Sequence, residues 1–200
     1  RLMEGLAVHP EYPGLFKEAF QDDSLRVKYI LYALAQFERT MVSFSSRYDQ
    51  WRQGKAQLTG QEQRGYQLFT QAVSAGGAVC ASCHEEPLFT DFSYRNNGLD
   101  RWAHFDRKDA DVGRGRITMK RADTGCFKVP SLRNVALTPP YMHDGRFIDL
   151  AAVLDHYQNG VHQTPSLAEE LHTHADGALK LSESDEEAII AFLHTLSDPQ

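Results

Sequence analysis

Cys80-Ala81-Ser82-Cys83-His84 is the stretch that decides the reading of this chain. Cys-x-x-Cys-His is the attachment pattern of a c-type haem. Two thiols have to reach the two vinyl groups of one porphyrin, and the spacing sets them about one helical turn apart. The following residue then puts an imidazole beneath the iron as the proximal ligand. A redox Cys-x-x-Cys pair with an incidental histidine is the alternative, and the surrounding sequence has to decide against it.

Working outward, helical periodicity dominates. Leu25, Val27, Ile30, Leu31, Leu34, Phe37, Met41 and Val42 recur at i, i+3, i+4 spacing behind Asp22-Asp23-Ser24. With Ser24 as N-cap, this predicts a long helix over about 25–44 with its stripe in the core. Gly54 to Leu58 breaks the pattern. Thr59-Gly60-Gln61-Glu62 fits a capping box and opens a helix bearing Tyr66, Leu68 and Phe69 toward the haem motif. Residues 88–140 are rich in Gly, Asp, Asn, Arg and Pro, with short strands expected near Phe92–Tyr94 and Phe127–Val129. A segment this long and irregular in a compact domain is usually functional, and it is expected to wrap one side of the haem. Leu150, Val153, Leu154 and Tyr157 restore helical spacing up to Gly160, and Ser182 to Asp185 starts a last amphipathic helix. The expected class is all-α, a cytochrome c-like haem domain with long irregular loops and room for a short β-hairpin.

Bulk properties narrow the partners. The chain has 200 residues and a formal charge of −6, enough for one sizeable core and unfavourable for nucleic acid or anionic membrane surfaces. No run approaches the length of a transmembrane span. Arg1-Leu2-Met3-Glu4 has no apolar signal-peptide core. Covalent haem attachment outside the cytoplasm implies a signal upstream or removed, and hence a periplasmic location. Arg1 to Pro10 reads as the continuation of something longer. Of the three cysteines, Cys126 is left over and reads as a small buried hydrophobe.

The chain resembles the C-terminal haem domain of bacterial di-haem cytochrome c peroxidases and their MauG-type relatives. The resemblance rests on Ala33-Leu34-Ala35-Gln36-Phe37-Glu38-Arg39-Thr40, on Ser46-Arg47-Tyr48-Asp49, and on Leu58 to Phe69 leading into Cys80–His84. Phe127-Lys128-Val129-Pro130-Ser131-Leu132-Arg133-Asn134-Val135 and Thr138-Pro139-Pro140-Tyr141-Met142-His143-Asp144-Gly145 add to it. It implies that residues 1–200 form a single c-type haem domain, the C-terminal half of a two-domain protein. The N-terminal haem domain, with the peroxide-binding haem, would lie outside this chain. It also implies hydrogen peroxide as oxidant and a small cytochrome or a protein substrate as redox partner. Trp51 and Trp102 are read as core or surface aromatics.

The candidates opposite His84 are Met142, His143, His156 and Tyr157. In the peroxidases the distal ligand is a methionine 14 residues after the histidine of His-Asp-Gly; here that position, counted from His143, is Tyr157, and MauG-type enzymes hold an axial tyrosine there. Helix geometry points the same way. Tyr157 shares the stripe of Leu150, Val153 and Leu154, whereas His156 is turned about 100° from it. A core tyrosine bonded elsewhere is the competing reading. A hard phenolate favours ferric and higher oxidation states, a methionine thioether the ferrous state. Met142 remains a candidate, and His143 reads as a hydrogen-bonding residue near the haem edge.

The resemblance further implies calcium bound in part by backbone carbonyls of Thr138 and Pro140; a rigid Thr-Pro-Pro turn is the alternative. Arg133 could pair with a haem propionate, since a guanidinium fork fits a carboxylate, or be a surface charge. His162, His172, His174 and His194 show no metal spacing and read as surface. The alternatives to a MauG-type enzyme are the electron-transfer domain of an ordinary cytochrome c peroxidase and a mono-haem electron carrier.

Overall fold

The computed structural model describes residues 1–72, 75–175, 177 and 179–199. The chain divides into two compact units, Arg1–Ser43 and Phe44–Gln200.

The first unit holds α1 (Leu2–Val8), α2 (Tyr12–Phe20) and α3 (Val27–Glu38). Leu6, Leu15, Phe16, Ile30, Leu34 and Phe37 line a shared apolar groove, and the Tyr29 hydroxyl donates to Asp22 at 2.7 Å. The expected helix over 25–44 is shorter at both ends. Arg26 takes the N-cap position in place of Ser24. At the other end the Thr40 hydroxyl donates to the Phe37 carbonyl at 2.7 Å, competing for a helix acceptor as threonine does. The stripe is not core either: Val27, Leu31, Leu34 and Phe37 are each more than half exposed.

The second unit is built around two packed helices, α5 (Gly60–Thr70) and α9 (Glu183–His194), with α4 (Arg47–Arg52) beside them. α5 (Gly60–Thr70) begins with a reciprocal capping box: Glu62 N–H donates to the Thr59 hydroxyl at 3.2 Å, and Thr59 N–H donates to the Glu62 carboxylate at 2.6 Å. Two orphan donors of the first turn are thereby satisfied. A four-residue helix, α6 (Gly115–Thr118), interrupts the irregular segment. α7 (Leu150–Asp155) starts from Asp149, whose carboxylate accepts from Ala152 N–H at 2.8 Å. It runs into a widened turn at His156–Gly160. α8 (His172–Ala175) is short, and α9 (Glu183–His194) is capped by Ser182.

Gly65 of α5 meets Ala188 of α9 without a side chain between them; a Cβ on Gly65 would collide with the Ala188 carbonyl. This close approach lets Leu68 and Phe69 pack on Ile189, Phe192 and Leu196, all of them at most 1 % exposed. Burying a side chain of this size contributes about 1.5–3 kcal/mol.

Between these helices, β1 (Tyr94–Arg95) and β2 (Phe127–Lys128) pair antiparallel, Tyr94 opposite Lys128 and Arg95 opposite Phe127. They join across a long excursion rather than a tight turn. Side chains fasten the irregular segment: the Thr90 hydroxyl donates to the Val129 carbonyl at 2.7 Å, and buried Asn96 donates to Ser166 at 2.9 Å. Among the described residues the fold is thus all-α with one short ladder, and no helix there is long and apolar enough to cross a membrane.

Candidate functional site

A cavity of about 460 Å³ opens inside the second unit, within the range of small-molecule and cofactor sites. Phe69, Leu150, Leu154, Ile189 and Leu193 form apolar walls, and Cys80, Cys83, His84, Met142, His143 and Tyr157 face it from different elements. The motif enters the cavity through the turn Cys80–Ser82 that follows α5. Tyr157 arrives on the widened turn after α7. Thr138 and Pro140 lie on the cavity rim in an exposed turn.

Cys80 and Cys83 are both half-buried against the cavity. Burial pushes the Cys80 thiol up to about 12 and raises Cys83 as well. A dithiol redox centre needs a thiolate stabilised near neutral pH, so this pair has the opposite electrostatics. Protonated thiols beside an apolar cavity are suited to addition across a vinyl group.

His84 Nδ1 lies 3.0 Å from the Phe89 carbonyl oxygen. A carbonyl only accepts, so Nδ1 carries the proton and Nε2 is the nitrogen able to ligate. Burial pushes the imidazole below its ordinary range, against the smaller opposing pull of the Phe89 and Pro130 carbonyls. The ring is therefore neutral, as a metal ligand must be.

Tyr157 lines the cavity; its neighbour His156 does not. His156 is 5 % exposed and places Nε2 3.1 Å from the Asn97 carbonyl. Gly160 lets the turn close over it, since a Cβ there would meet the His156 ring. Burial pushes the Tyr157 phenol up to about 12, and a hydrogen bond from the Asn97 side chain opposes that rise. Asn97 Nδ2 lies 3.3 Å from the Met142 sulfur. His143 is exposed and stacks on Phe127 with ring centres 3.7 Å apart.

Arg133 is elsewhere. Its guanidinium forks onto Asp49, Nη1 and Nη2 each 2.9 Å from a carboxylate oxygen, and donates to the Pro87 carbonyl at 2.7 Å. Engaged with these partners, it is not among the residues that line the cavity. Arg95 and Lys128 are the cations that line it, and the sequence reading passed over Arg95. Arg95 is held by Glu170 at 2.8 Å and Asp91 at 3.1 Å. His174 departs from its sequence reading. It is 4 % exposed and faces the cavity rather than the surface, whereas His172 and His194 are exposed. Its side chain follows an exposed neighbour two residues earlier, and no spacing signal marked it. Cys126 is buried, as expected of a small hydrophobe.

Known proteins place this architecture. Residues 1–57 match the family model described as di-haem cytochrome c peroxidase. The methylamine utilization protein MauG of Methylorubrum extorquens is 37 % identical over 98 % of this chain and 52 % of its own length. The cytochrome c551 peroxidase of Nitrosomonas europaea is 38 % identical over 70 % of this chain and 40 % of its own. Among solved structures, a MauG-like protein associated with microbial copper homeostasis superposes with a TM-score of 0.72 at 32 % identity, covering 98 % of this chain and 61 % of that one. The di-haem peroxidase BthA of Burkholderia thailandensis shares the fold, with a TM-score of 0.73 at 23 % identity over 98 % of this chain and 58 % of its own. The chain thus spans about half the length of the MauG protein it matches. It belongs to the di-haem cytochrome c peroxidase and MauG family.

Proposed function

We propose that this chain is the C-terminal haem domain of a periplasmic di-haem oxidoreductase that uses hydrogen peroxide, nearer to the MauG type than to the plain peroxidases. The observation that carries the reading is the convergence of Cys80, Cys83, His84 and Tyr157 on one apolar cavity. The set fits a c-type haem: two protonated thiols, a neutral imidazole with its proton fixed on Nδ1, and a phenol on a separate element. When bound, the haem supplies one-electron chemistry at iron.

In this reading Cys80 and Cys83 tether the porphyrin and His84 ligates through Nε2. Tyr157 ligates through its phenolate oxygen. The burial that holds the free phenol protonated disfavours charge, so a cation is needed to draw the proton off, and Asn97 assists by bonding the oxygen. The apolar walls exclude water. An anionic oxygen from Tyr157 would favour oxidised iron, as expected of a domain that serves the oxidation of a protein substrate. The carbonyls of Thr138 and Pro140 are retained as calcium donors in this proposal, being the hard oxygens such an ion takes.

A second reading has its own observation. Met142 faces the same cavity, with its sulfur beside Asn97. Thioether ligation would raise the potential and make this the electron-entry domain of an ordinary peroxidase fed by a small cytochrome. Electronic absorption and EPR of the ferric protein, wild type beside Tyr157→Phe, separate the two. A low-spin oxygen-ligated wild type and a changed spin state or ligand in the variant support Tyr157. A methionine-type spectrum in both moves the ligand to Met142.

A further inference from the structure

His174 on α8 is buried to 4 % exposure against the cavity, and neither of its ring nitrogens has a hydrogen-bond partner among the described residues. Leaving a buried polar group unsatisfied is costly, and such groups in native proteins call for a specific explanation, commonly a ligand or water that completes them. The neighbouring lining from Leu171, Leu179 and Leu181 offers no side-chain polar atom. The polar-tipped side chain set against His174 is Tyr157. Their ring centres are 6.3 Å apart and the rings stand edge-on at 82°. The two rings are thus neighbours on the wall of one cavity. Asn97 lines the same cavity.

We propose that His174 is a positioning residue for the sixth iron ligand, donating an imidazole N–H to the Tyr157 oxygen when haem fills the cavity. With Asn97 it would make a two-donor cradle for the phenolate. The inference rests on the haem and Tyr157 reading above and assigns the group that tunes that ligand. A hydrogen bond to an anionic ligand draws off electron density and weakens its donation to iron, as outer-shell partners generally tune metal sites. Losing the bond should strengthen the donation, stabilise ferric iron and lower the energy of the phenolate-to-iron charge-transfer band.

The test uses the haem-loaded protein in five forms: wild type, His174→Leu, His174→Gln, Tyr157→Phe, and the Tyr157→Phe/His174→Leu double variant. Midpoint potential, charge-transfer band and EPR are read in each. His174→Leu is expected to lower the potential and red-shift the band. His174→Gln keeps an N–H donor and should return both toward wild type, which a purely structural role would not produce. In the Tyr157→Phe background, His174→Leu should add nothing. A silent His174→Leu beside a spectrally altered Tyr157→Phe overturns the role of His174 and leaves the ligand reading standing. An undiminished His174→Leu effect in the Tyr157→Phe background also overturns it, because the imidazole then acts on another group. A Tyr157→Phe spectrum identical to wild type overturns the ligand reading and this inference with it.

Discussion

Arg133 and Asp49 form a forked ion pair inside the second unit, with side chains only 5 % and 9 % exposed. Asp49 Oδ2 also accepts from Ser46 N–H at 3.0 Å and from the Ser46 hydroxyl at 2.6 Å. Arg133 lies over the Phe44 ring at 4.2 Å. Start of α4, the Pro87 turn and the 127–135 signature are thus tied at one point. Breaking a buried pair on one side strands the other charge and costs about 3–5 kcal/mol, while replacing both partners by apolar groups is often close to neutral. Arg133→Met and Asp49→Ala should each lower the denaturant midpoint strongly, and Arg133→Met with Asp49→Leu should recover most of the loss. Haem spectra of whatever fraction stays folded should be unchanged, since Arg133 does not reach the cavity.

The same pair sets an acid limit. Burial alone would raise the Asp49 carboxyl, but hydrogen bonds from Arg133 and Ser46, with the Arg133 charge, outweigh it and hold the group below its ordinary value of 3.8. A carboxyl depressed in the folded state contributes stability that is full above its unfolded pKa and is lost as pH falls through the folded one. Unfolding free energy should therefore be insensitive to this pair above about pH 5 and decline below about pH 4. In the Arg133→Met/Asp49→Leu protein that acid decline should be shallower, as followed by urea melts across pH.

Gly65 and Gly60 share one helix and should respond oppositely to alanine. A Cβ at Gly65 runs into the Ala188 backbone, which cannot swing aside as a side-chain tip would. Overpacking of this kind costs about 1–3 kcal/mol. At Gly60, in the first turn of α5, a Cβ meets nothing within 4 Å. Removing glycine's freedom from the unfolded chain there stabilises by about 0.4–1 kcal/mol. Thermal melts of the two variants should move in opposite directions. A Gly65→Ala protein as stable as wild type would show that α5 and α9 can slide apart at no cost.

What was legible in the sequence was local or periodic. The caps at Thr59 and Ser182 act over three residues, so their pattern is the structure. The stripe of Leu150, Val153, Leu154 and Tyr157 also needed only helix spacing, and all four line the cavity. Partner choice was not legible. Arg133 meets a carboxylate as its chemistry suggests, but one 84 residues away, and a guanidinium carries no mark of which carboxylate it will find. His172 and His174 do face different ways, as a two-residue spacing implies. One of those faces is toward the cavity, which only the packing of the 168–181 segment decides. The α3 stripe has helical spacing, yet spacing does not say what surface covers it.

The two motif thiols make the last prediction. They are half-buried, and desolvation holds both away from thiolate. Adding a thiol across a vinyl group puts sulfur on one carbon and hydrogen on the other, with no oxidant consumed. Each cysteine should therefore account for one thioether. In denaturing gels stained for haem, wild type should keep its colour with the polypeptide. Cys80→Ser and Cys83→Ser should each retain haem through the remaining bond, with a pyridine haemochrome band shifted to the red by the surviving vinyl group. The double serine variant should lose haem from the denatured chain altogether, while His84 and the apolar walls still bind it when folded. Haem that stays with the doubly substituted chain after denaturation would place the covalent link outside Cys80 and Cys83 and remove the basis for reading this cavity as a c-type site.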